Sequence, residues 1–402
     1  MRRLHVQPAV IFLLLTLAPG VSAQLTHGQK PSLPAPHATP AADNGPRVVE
    51  APPGFLPRVP PEFKVNVFAR GFKGPRWLAV APNGDIFVTD SRAGELIVLR
   101  DARNTGSAQQ RETFVAGLDQ PFGVAFHDDY VYVGNTSAVL RFRFDPKTSK
   151  RLGEAEHIID LPGGGYNQHW TRTVAFSQDG KHLFVSVGSK TNVSVEADER
   201  RAAIIICEPD GKNSRIYARG LRNAVGIGIE PTTSQLWASV NERDNIGDNV
   251  PPDYFTSVRD GGFYGWPYSY IGDNVDVRAT PPQPDLVAKA IVPDVLLAPH
   301  AAALEFTFYT ASQFPGKYRH GVFIAEHGSW NRATRSGYDV VFIPFSGGKP
   351  TADPIPFLTG FVPDPSKRDV YGRPVGIAVA KDGSLLVSDD GAKVIYRISA
   401  SQ

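Results

Sequence analysis

A short cassette of apolar strand, turn and apolar strand recurs about six times along this 402-residue chain. The clearest copies occupy residues 77–89 and 375–388. Weaker copies start at Phe122, Thr171, Ala224 and Ala303. Because repeated copies superimpose equivalent positions, the repeat constrains the architecture and shows where residues depart from the common pattern.

Within a copy, side chains alternate with a period of two residues, which is typical of a strand. Ile86 and Val88 share one face, whereas Phe87 and Thr89 share the other. Asn-Gly and Asp-Gly pairs between the strands, such as 83–84, predict hairpin turns. Helical periodicity is almost absent. We therefore predict an all-β fold, a six-bladed β-propeller with four-stranded antiparallel blades.

Two blades must carry long insertions, because some copies are separated by more than the usual blade length of about 40–50 residues. These insertions fall at roughly 241–300 and 309–370, and we expect them on the top face of the propeller. Long loops on a rigid scaffold commonly carry function. The alternative all-β architecture is a pair of sandwiches, which do not repeat one cassette this often.

The N-terminus has the pattern of a secretory signal over residues 1–23. Basic residues precede a short apolar region at 11–15, and small residues before and at Ala23 suggest cleavage there. The apolar run is shorter than the roughly 20 residues of a membrane span. We therefore expect an exported protein, periplasmic or secreted.

The expected domain organisation has two further parts. Residues 24–60 are rich in Pro and Ala, which predicts a linker or a tail wrapped on the surface. Residues 61–402 are predicted to form the β-propeller catalytic domain.

Charge and cysteine content exclude some classes of function. The chain has 42 basic and 40 acidic residues, and removal of the signal deletes only Arg2 and Arg3, so the formal charge falls from +2 to zero. A neutral balance argues against nucleic acid or an anionic membrane as the main partner. Cys207 is the single cysteine, which rules out an intrachain disulfide, and its apolar context predicts a buried thiol.

Polar or cationic residues stand just ahead of the first strand in every copy. They are Arg76, Gln120, Gln168 and His169 with Arg172, Arg222 and Asn223, His300, and Arg373. Because first strands line the axis of a propeller, we expect these residues to ring the mouth of the central channel. A single polar residue at such a position is commonly structural, but polar residues at the equivalent position of all six copies favour a functional site.

The ring is rich in cations and hydrogen-bond donors, which suits an anionic ligand with several acceptors, because Arg binds carboxylates in bidentate fashion. His169 is the predicted proton acceptor, since the pKa of imidazole is ordinarily near about 6.5. His300 is the second candidate for that role.

The insertion that begins at residues 241–253 clusters Asp, Asn and Glu in a loop with Gly and Pro. Such oxygen donors suit Ca²⁺, although many acidic loops bind no metal. The sequence has no His and Cys cluster for zinc or iron. Tyr264 and Trp266 follow, and they either stack on a planar ligand or pack in the core.

Two common enzyme motifs are missing. Ser329, within the segment 326–332, lies in no Gly-x-Ser-x-Gly elbow, so a serine hydrolase is disfavoured. No Gly-x-Gly-x-x-Gly follows a parallel strand, so a Rossmann-type nicotinamide or flavin site is unsupported.

Taken in order along the chain, the motifs resemble a known family. They are the run 120–123, His169 ahead of a strand, Arg222 and Asn223, the acidic loop, Gly262–Pro267 and Glu326–Arg332. This pattern resembles the sorbosone dehydrogenase family, which is related to soluble quinoprotein glucose dehydrogenase and the aldose sugar dehydrogenases. The resemblance covers nearly all of residues 62–400.

The resemblance implies a propeller that holds pyrroloquinoline quinone (PQQ) and Ca²⁺ on its top face, with His169 as the general base. It implies that Gln120, Arg222, Asn223, Arg332 and Arg373 hold the quinone, and Arg76 and His300 of the ring are further candidates. The backbone carbonyls of Glu242 and Arg243 would ligate Ca²⁺, and Asp248 is the third candidate ligand.

The chain departs from the glucose dehydrogenase pattern in two places. It has Glu242 and Arg243 where that relative has a Gly-Pro pair, and Arg332 where that relative has Lys. Despite these differences we expect PQQ as the cofactor, but the sugar substrate is undetermined.

The predicted function is PQQ-dependent oxidation of an aldose sugar, a sorbosone-like compound or a related polyol or aldehyde. His169 would take the hydroxyl proton while hydride passes to a quinone carbonyl polarised by Ca²⁺, and Arg222 would stabilise the charge that develops. The alternative is a non-redox propeller, either a sugar-lactone hydrolase or a carbohydrate-binding module. No haem motif is present, so we expect a separate electron acceptor, with the protein a monomer or homodimer.

Overall fold

The computed structural model describes residues 23–163 and 169–401, and the predicted signal therefore lies almost entirely outside the described residues. Six antiparallel sheets follow one another along the chain. The first strand of each sheet contacts the first strands of both neighbouring sheets, so the six sheets close a ring. The prediction of a six-bladed β-propeller is confirmed, and the alternative pair of sandwiches is wrong.

Blades 1 to 3 are regular four-stranded sheets, numbered here in chain order from the axis outward. Blade 1 contains Pro75–Val80, Ile86–Asp90, Glu95–Arg100 and Gln110–Ala116. Blade 2 contains Val124–His127, Tyr130–Gly134, Ala138–Phe144 and Arg151–Asp160. Blade 3 contains Arg172–Phe176, Leu183–Val187, Ala203–Cys207 and Arg215–Arg219.

Blades 4 and 5 carry the insertions and extra strands. Blade 4 contains Ala224–Ile229, Leu236–Val240, Pro252–Ser257 and Val295–Pro299, with Gln24–Leu25 added at its outer edge. Blade 5 contains Ala303–Tyr309, Gly321–Glu326, Asp339–Ser346 and Ile355–Leu358, with Lys349–Pro350 paired to its third strand. The long connections of these two blades fall within the predicted spans 241–300 and 309–370.

Blade 6 closes the ring with strands from both ends of the described chain. It contains Pro374–Val379, Leu385–Asp389, Val394–Ala400 and, as its outer strand, Phe63–Arg70. The register pairs Phe63 with Ala400 and Arg70 with Val394. The propeller is therefore held shut by backbone hydrogen bonds between its first and last strands.

Little regular structure lies outside the blades. Ser269–Tyr270 and Asn274–Val275 form a small hairpin, and Arg47–Val48 pairs in parallel with Asp369–Val370. A short helix spans Pro284–Val287 and a 3₁₀ turn spans Gly316–Tyr318. Among the described residues, no helix has the length and hydropathy needed to cross a membrane.

Apolar packing between blades forms the core and blocks the channel beneath one face. Phe122, Val225, Leu304 and Val375 come from different blades and belong, with Trp77, to one buried cluster. Cys207 is buried in another cluster, and burial raises the pKa of its thiol to about 11, as expected for an inert core cysteine. The apolar plug leaves a blind cavity above it rather than an open pore.

Candidate active site

A cavity of about 300 Å³ lies on the axis at the face where the first strands begin, which we call the top face. Its floor includes Val225 and Leu304 of the apolar plug. The predicted site residues that line it are Arg76, His169, Arg222, Asn223, Glu242, His300 and Arg373. The structure therefore brings most of the residues ahead of the first strands into one axial site.

His169 is positioned by the top of blade 3. Its Nδ1 lies 2.9 Å from the backbone carbonyl oxygen of Ser189. A carbonyl oxygen can only accept, so Nδ1 carries the proton and Nε2 is the basic nitrogen of the neutral ring. Burial, together with the positive charge of Arg222, lowers the pKa of His169 to about 3. The ring is consequently neutral near pH 7.

Arg172 fixes the backbone around His169. Its guanidinium is buried and donates to the carbonyl oxygens of His169, Thr171 and Pro162, at 3.0, 2.8 and 2.7 Å. Burial lowers the pKa of Arg172 to about 9, so it remains charged at neutral pH. This residue belongs to the predicted ring but acts on the backbone rather than on the cavity.

Arg222 links the tops of blades 3 and 4. It donates to the carbonyl oxygen of Glu242 at 2.5 Å and to the carboxylate of Asp244 at 2.9 Å. It also donates to the side chain of Asn192 at 2.9 Å. Burial would raise the pKa of Asp244, but the charge of Arg222 and the contact with His300 hold it below its usual value. The cavity wall at blade 4 therefore pairs a fixed cation with an ionised carboxylate.

His300 lies on the same wall, with Nε2 2.9 Å from the carbonyl oxygen of Gly247 and Nδ1 3.7 Å from Asp244. Although burial disfavours its charged form, the contacts with Asp244 and Gly247 raise the pKa of His300 above its ordinary value. Asp253, below it, accepts from the backbone N–H of Glu242 and of Ala302. Burial nevertheless raises the pKa of Asp253 to about 7.

A second charged cluster lies where blades 5, 6 and 1 meet. Asp390 accepts from Nε2 of His327 at 2.8 Å and from Arg76 at 2.5 Å. Burial would raise the pKa of Asp390, but the neighbouring His327 and Arg76 hold it far below its usual value. Arg373 donates to the carbonyl oxygens of His327 and Gly328, at 3.1 and 3.2 Å. Within the described parts of the chain, Arg373 has no carboxylate at ion-pairing distance.

Four predicted site residues do not line the cavity. Gln120 is exposed on the loop before blade 2, with a φ of 45°. Arg332 donates to Asn249 on the loop above, at 2.9 Å. The buried guanidinium of Arg243 turns away to Glu242 and Asp276, each at 3.0 Å. Asp248 accepts from the backbone N–H of Ala333 at 2.9 Å.

The two aromatic residues whose role was left open pack inside the protein. Tyr264 is 1 % exposed and donates to the carbonyl oxygen of Ser257. Trp266 is 3 % exposed and donates to the carbonyl oxygen of Asn192. The exposed aromatic of the cavity is instead Trp330, which lines its rim and is 38 % exposed.

Sequence reasoning assigned no site role to a second set of residues at the ends of the second strands, although two of them lie in the segments 241–253 and 326–332 that it singled out. Each second strand runs antiparallel to the first and so returns to the top face, as the pairs Pro374 with Asp389 and Ala303 with Glu326 show. The residues that follow these ends include Ser189, Asn241, His327 and Asp390. The position just after the second strand of each cassette could therefore have identified these residues from the sequence.

The donor set of the cavity fits an anionic, carboxylate-bearing cofactor. Three guanidinium groups line it, and two of them form ion pairs with Asp390 and Asp244, so Arg373 is the unmatched one, without an ion-pair partner among the described residues. Nε of Arg76 and Oδ1 of Asn223 are buried without a hydrogen-bond partner among the described residues. Buried polar groups of this kind ordinarily have partners, which a ligand could supply.

A protein-only metal site is not present in the described segments, since no three or more His, Cys, Asp or Glu residues there are grouped to hold an ion. Oxygen donors do line the cavity, namely the carbonyl of Glu242 and the carboxylate of Asp244, and both contact Arg222. They fit Ca²⁺ only as part of a set completed by another ligand.

Relatives with known names share both sequence and fold with this chain. The pyrroloquinoline quinone-dependent pyranose dehydrogenase of Coprinopsis cinerea is 24% identical over 409 residues, covering 86% of this chain and 55% of that protein. This chain thus spans about half the length of that relative. The holo PQQ domain of the Coprinopsis enzyme superimposes with a TM-score of 0.72 at 21% identity, covering 88% of this chain and 99% of that domain.

Two further solved structures share the propeller. The family AA12 enzyme of Trichoderma reesei superimposes with a TM-score of 0.74 at 22% identity, covering 86% of this chain and 98% of that one. The PQQ-bound aldose sugar dehydrogenase of Streptomyces coelicolor superimposes with a TM-score of 0.60 at 20% identity, covering 86% of this chain and 100% of that one. The comparisons thus point to PQQ-dependent sugar oxidoreductases as relatives, without singling out the sorbosone dehydrogenases.

The sequence matches the family described as TrAA12-like over residues 57–253 and 285–401, which include strands of all six blades and the residues that line the cavity. The chain belongs to the TrAA12-like family.

Proposed function

We propose that this protein is a PQQ-dependent dehydrogenase that oxidises an aldose sugar or a related polyol or aldehyde. The observation that carries the proposal is the axial cavity, which three arginines and a neutral histidine line together, in a propeller whose relatives use PQQ. Such a site offers cations for an anionic cofactor and a proton acceptor for a substrate hydroxyl.

Arg373, Arg76 and Arg222 are the residues that would hold the cofactor. Arg373 carries the unmatched charge, and the unpartnered Nε of Arg76 and Oδ1 of Asn223 offer a donor and an acceptor. When bound, PQQ supplies a two-electron acceptor, which the protein itself lacks.

His169 would take the proton from the substrate hydroxyl. Its Nδ1–H is held by the Ser189 carbonyl, which directs basicity to Nε2, and Arg172 anchors its backbone. Arg222 lies close enough to depress the pKa of His169, so it is also placed to stabilise negative charge that develops on an oxygen beside the histidine.

Ca²⁺ belongs to the proposal through the oxygen donors on the blade 4 wall. The carbonyl of Glu242 and the carboxylate of Asp244 face the cavity, whereas Arg243 and Asp248 make contacts elsewhere. We therefore favour Glu242 and Asp244 as the protein ligands.

A second candidate function is metal-dependent hydrolysis of a sugar lactone. The specific observation in its favour is that Asn223, Asn241, Glu242, Asp244 and Asp253 all line the cavity. Two of these carboxyl groups are already engaged, however. Glu242 pairs with Arg243, and Asp253 accepts two backbone N–H groups. A carbohydrate-binding module without catalysis remains the third outcome of the test.

The test is reconstitution of the protein with PQQ and Ca²⁺, followed by assays with aldoses and an artificial dye. We expect dye reduction by at least one aldose, and its loss in His169→Gln with the cofactor still bound. Hydrolysis of a lactone without dye reduction would support the second candidate and contradict the dehydrogenase. No reduction and no cofactor absorbance after gel filtration would leave a binding module as the function.

We further propose export of the mature protein after cleavage near Ala23, and electron transfer to a separate acceptor. The pattern of residues 1–23 supports export, and the absence of a haem motif in the sequence supports a separate acceptor. N-terminal sequencing of the protein recovered from the host of origin would check the cleavage position. Recovery with residues 1–23 intact would contradict it.

A further inference from the structure

Besides His169, the cavity contains two histidines that the proposed mechanism does not use, His300 and His327. His327 follows the second strand of blade 5 and lines the cavity, as His169 does from blade 3. Its side chain is 13 % exposed, and its Nε2 lies 2.8 Å from Oδ1 of Asp390 on blade 6. The pair therefore joins two blades at the rim of the site.

The surroundings of His327 fix both its tautomer and its place. Asp390 remains ionised between His327 and Arg76, so it accepts the Nε2 proton and leaves Nδ1 as the acceptor nitrogen of the ring. The backbone N–H of His327 donates to the carbonyl oxygen of Ala302 at 2.9 Å, and its carbonyl accepts from Arg373. The ring is thus held by Asp390, and the backbone of His327 is fixed by two further hydrogen bonds.

A histidine hydrogen-bonded to a buried carboxylate is better suited to take up a proton than one bonded to a carbonyl, because the carboxylate stabilises the imidazolium. Of the three cavity histidines, His327 has a carboxylate, Asp390, at hydrogen-bond distance, whereas Nδ1 of His300 lies 3.7 Å from Asp244 and Nδ1 of His169 bonds the neutral Ser189. The charged groups that face His327 are Asp390, Arg373 and Arg76. Burial, with the charges of Arg373 and Arg76, lowers the pKa of His327 to about 4 although Asp390 favours the imidazolium, so any proton taken by His327 would be held briefly.

Oxidation of a carbinol to a carbonyl releases two electrons and two protons. The electrons leave to two molecules of a one-electron acceptor, and the hydroxyl proton goes to His169 in the proposed function. The hydrogen that leaves carbon as hydride becomes the second proton once its two electrons have passed to the acceptor. We propose that the His327–Asp390 pair takes up this second proton, so that each half of the reaction has its own proton acceptor.

This inference rests on the proposed function, but a stopped-flow experiment tests the two independently. Reconstituted wild-type protein and His327→Gln are mixed first with an aldose and then, once reduced, with ferricenium. We expect His327→Gln to slow reoxidation by ferricenium on the order of 10²-fold. The same substitution should slow reduction by the sugar much less. His182→Gln, which changes an exposed histidine on the blade 3 hairpin, is the matched control.

Rescue and spectroscopy give readouts that a structural role would not move. Free imidazole should restore fast reoxidation in His327→Ala. In the protein without cofactor, nitrogen NMR should show His327 with its proton on Nε2, and Asp390→Asn should shift that signal while leaving His169 unchanged.

The outcomes are distinguishable. If His327→Gln slows both half-reactions equally or neither of them, or if Asp390→Asn leaves the His327 signal in place, this inference is wrong while the proposed function stands. If no aldose reduces the reconstituted wild-type protein, the proposed function is wrong and this inference falls with it.

Discussion

At the scale of single residues, the three histidines of the cavity differ chiefly in what they contact. His169 contacts a backbone carbonyl and lies near Arg222, His300 contacts Asp244, and His327 contacts Asp390. The pKa of His169 falls to about 3, whereas that of His300 rises. Identical side chains therefore receive different pKa values from their neighbours.

The low pKa of His169 predicts the acid limb of the activity profile. Burial and the charge of Arg222 lower the pKa of His169, so its ring stays neutral and able to accept a proton down to about pH 4. We expect kcat/KM of the reconstituted enzyme to show no limb near the ordinary histidine value of about 6.5 that is attributable to His169. Measuring kcat/KM from pH 4 to 8 for the wild-type protein and for His300→Gln checks this expectation. A limb near 6.5 in both proteins would contradict it.

Glu326, which is buried, and Asp339, which is partly buried, face each other across neighbouring strands of blade 5. Burial raises the pKa of Asp339 to about 6, and burial with the nearby Asp339 raises that of Glu326 well above its usual value. The folded state thus keeps a proton that the unfolded chain loses above about pH 4, so this pair costs stability as pH rises through 6.

Glu326→Gln should remove that cost. We expect the variant to gain stability relative to wild type between pH 5 and pH 8, on the order of 1 kcal/mol. Urea unfolding at both pH values measures the difference. An unchanged or larger loss of stability at pH 8 in the variant would contradict the assignment.

At the scale of elements, the segment before the first blade crosses the top-face loops. The backbone N–H of His37 donates to Ile246, and Thr39 accepts from the backbone N–H of Asp248. Asn44 then donates to the carbonyl oxygens of Arg332 and Ala333, at 3.1 and 2.8 Å. The segment therefore ties the blade 4 loop to the blade 5 loop that carries Trp330.

Asn44→Ala should loosen the blade 5 loop. The substitution removes both donations and one of the acceptors of the Arg335 guanidinium, and each such hydrogen bond contributes about 0.5–1.5 kcal/mol. We expect a lower melting temperature and faster proteolysis within 329–335. Asn66→Ala, whose amide bonds the Gly106 carbonyl at the outer edge, is the control. Equal proteolysis of that loop in both variants would contradict the role of Asn44.

The alternation of the cassettes predicted the first two strands of each blade, because both faces of those strands are set by local sequence. The outer strand of blade 6 could not be found in this way. Phe63–Arg70 precedes the first cassette and pairs with Val394–Ala400, so its partner is decided by closure of the whole ring. The ring of residues ahead of the first strands was likewise readable, because each shares one position in the repeat.

The contacts within the site were not readable from the sequence. Arg76 pairs with Asp390 and Asn44 with Arg332, and each pair is separated by almost the whole chain. Such pairs depend on how the blades curve round the axis. Arg332 and Arg243 illustrate the limit, since the motif that drew attention to them did not determine where their side chains point.

At the scale of the whole molecule, the pairing of Phe63–Arg70 with Val394–Ala400 in blade 6 closes the ring into one cooperative unit. Phe63 packs against Phe314, Tyr318 and Phe357, with ring centroids 4.7, 5.1 and 5.0 Å apart. The closing strand is therefore anchored to blade 5 as well as to blade 6.

Phe63→Ala should destabilise the entire propeller by about 3–5 kcal/mol, the usual cost of emptying a buried aromatic site. We expect one unfolding transition in denaturant, shifted to lower concentration with an unchanged slope. Phe55→Ala, which packs at the surface against Tyr371, is the control. A second, earlier transition would show instead that the closing strand detaches by itself.

The central claim is that the axial cavity holds PQQ through its arginines, and titration of PQQ into the cofactor-free protein in the presence of Ca²⁺ tests it most directly. We predict one PQQ per chain, with affinity reduced at least tenfold in Arg373→Leu, which removes the unmatched cation, and unchanged in Arg215→Leu on the outer strand of blade 3. Absence of binding by the wild-type protein, or equal affinity in Arg373→Leu, would contradict the account.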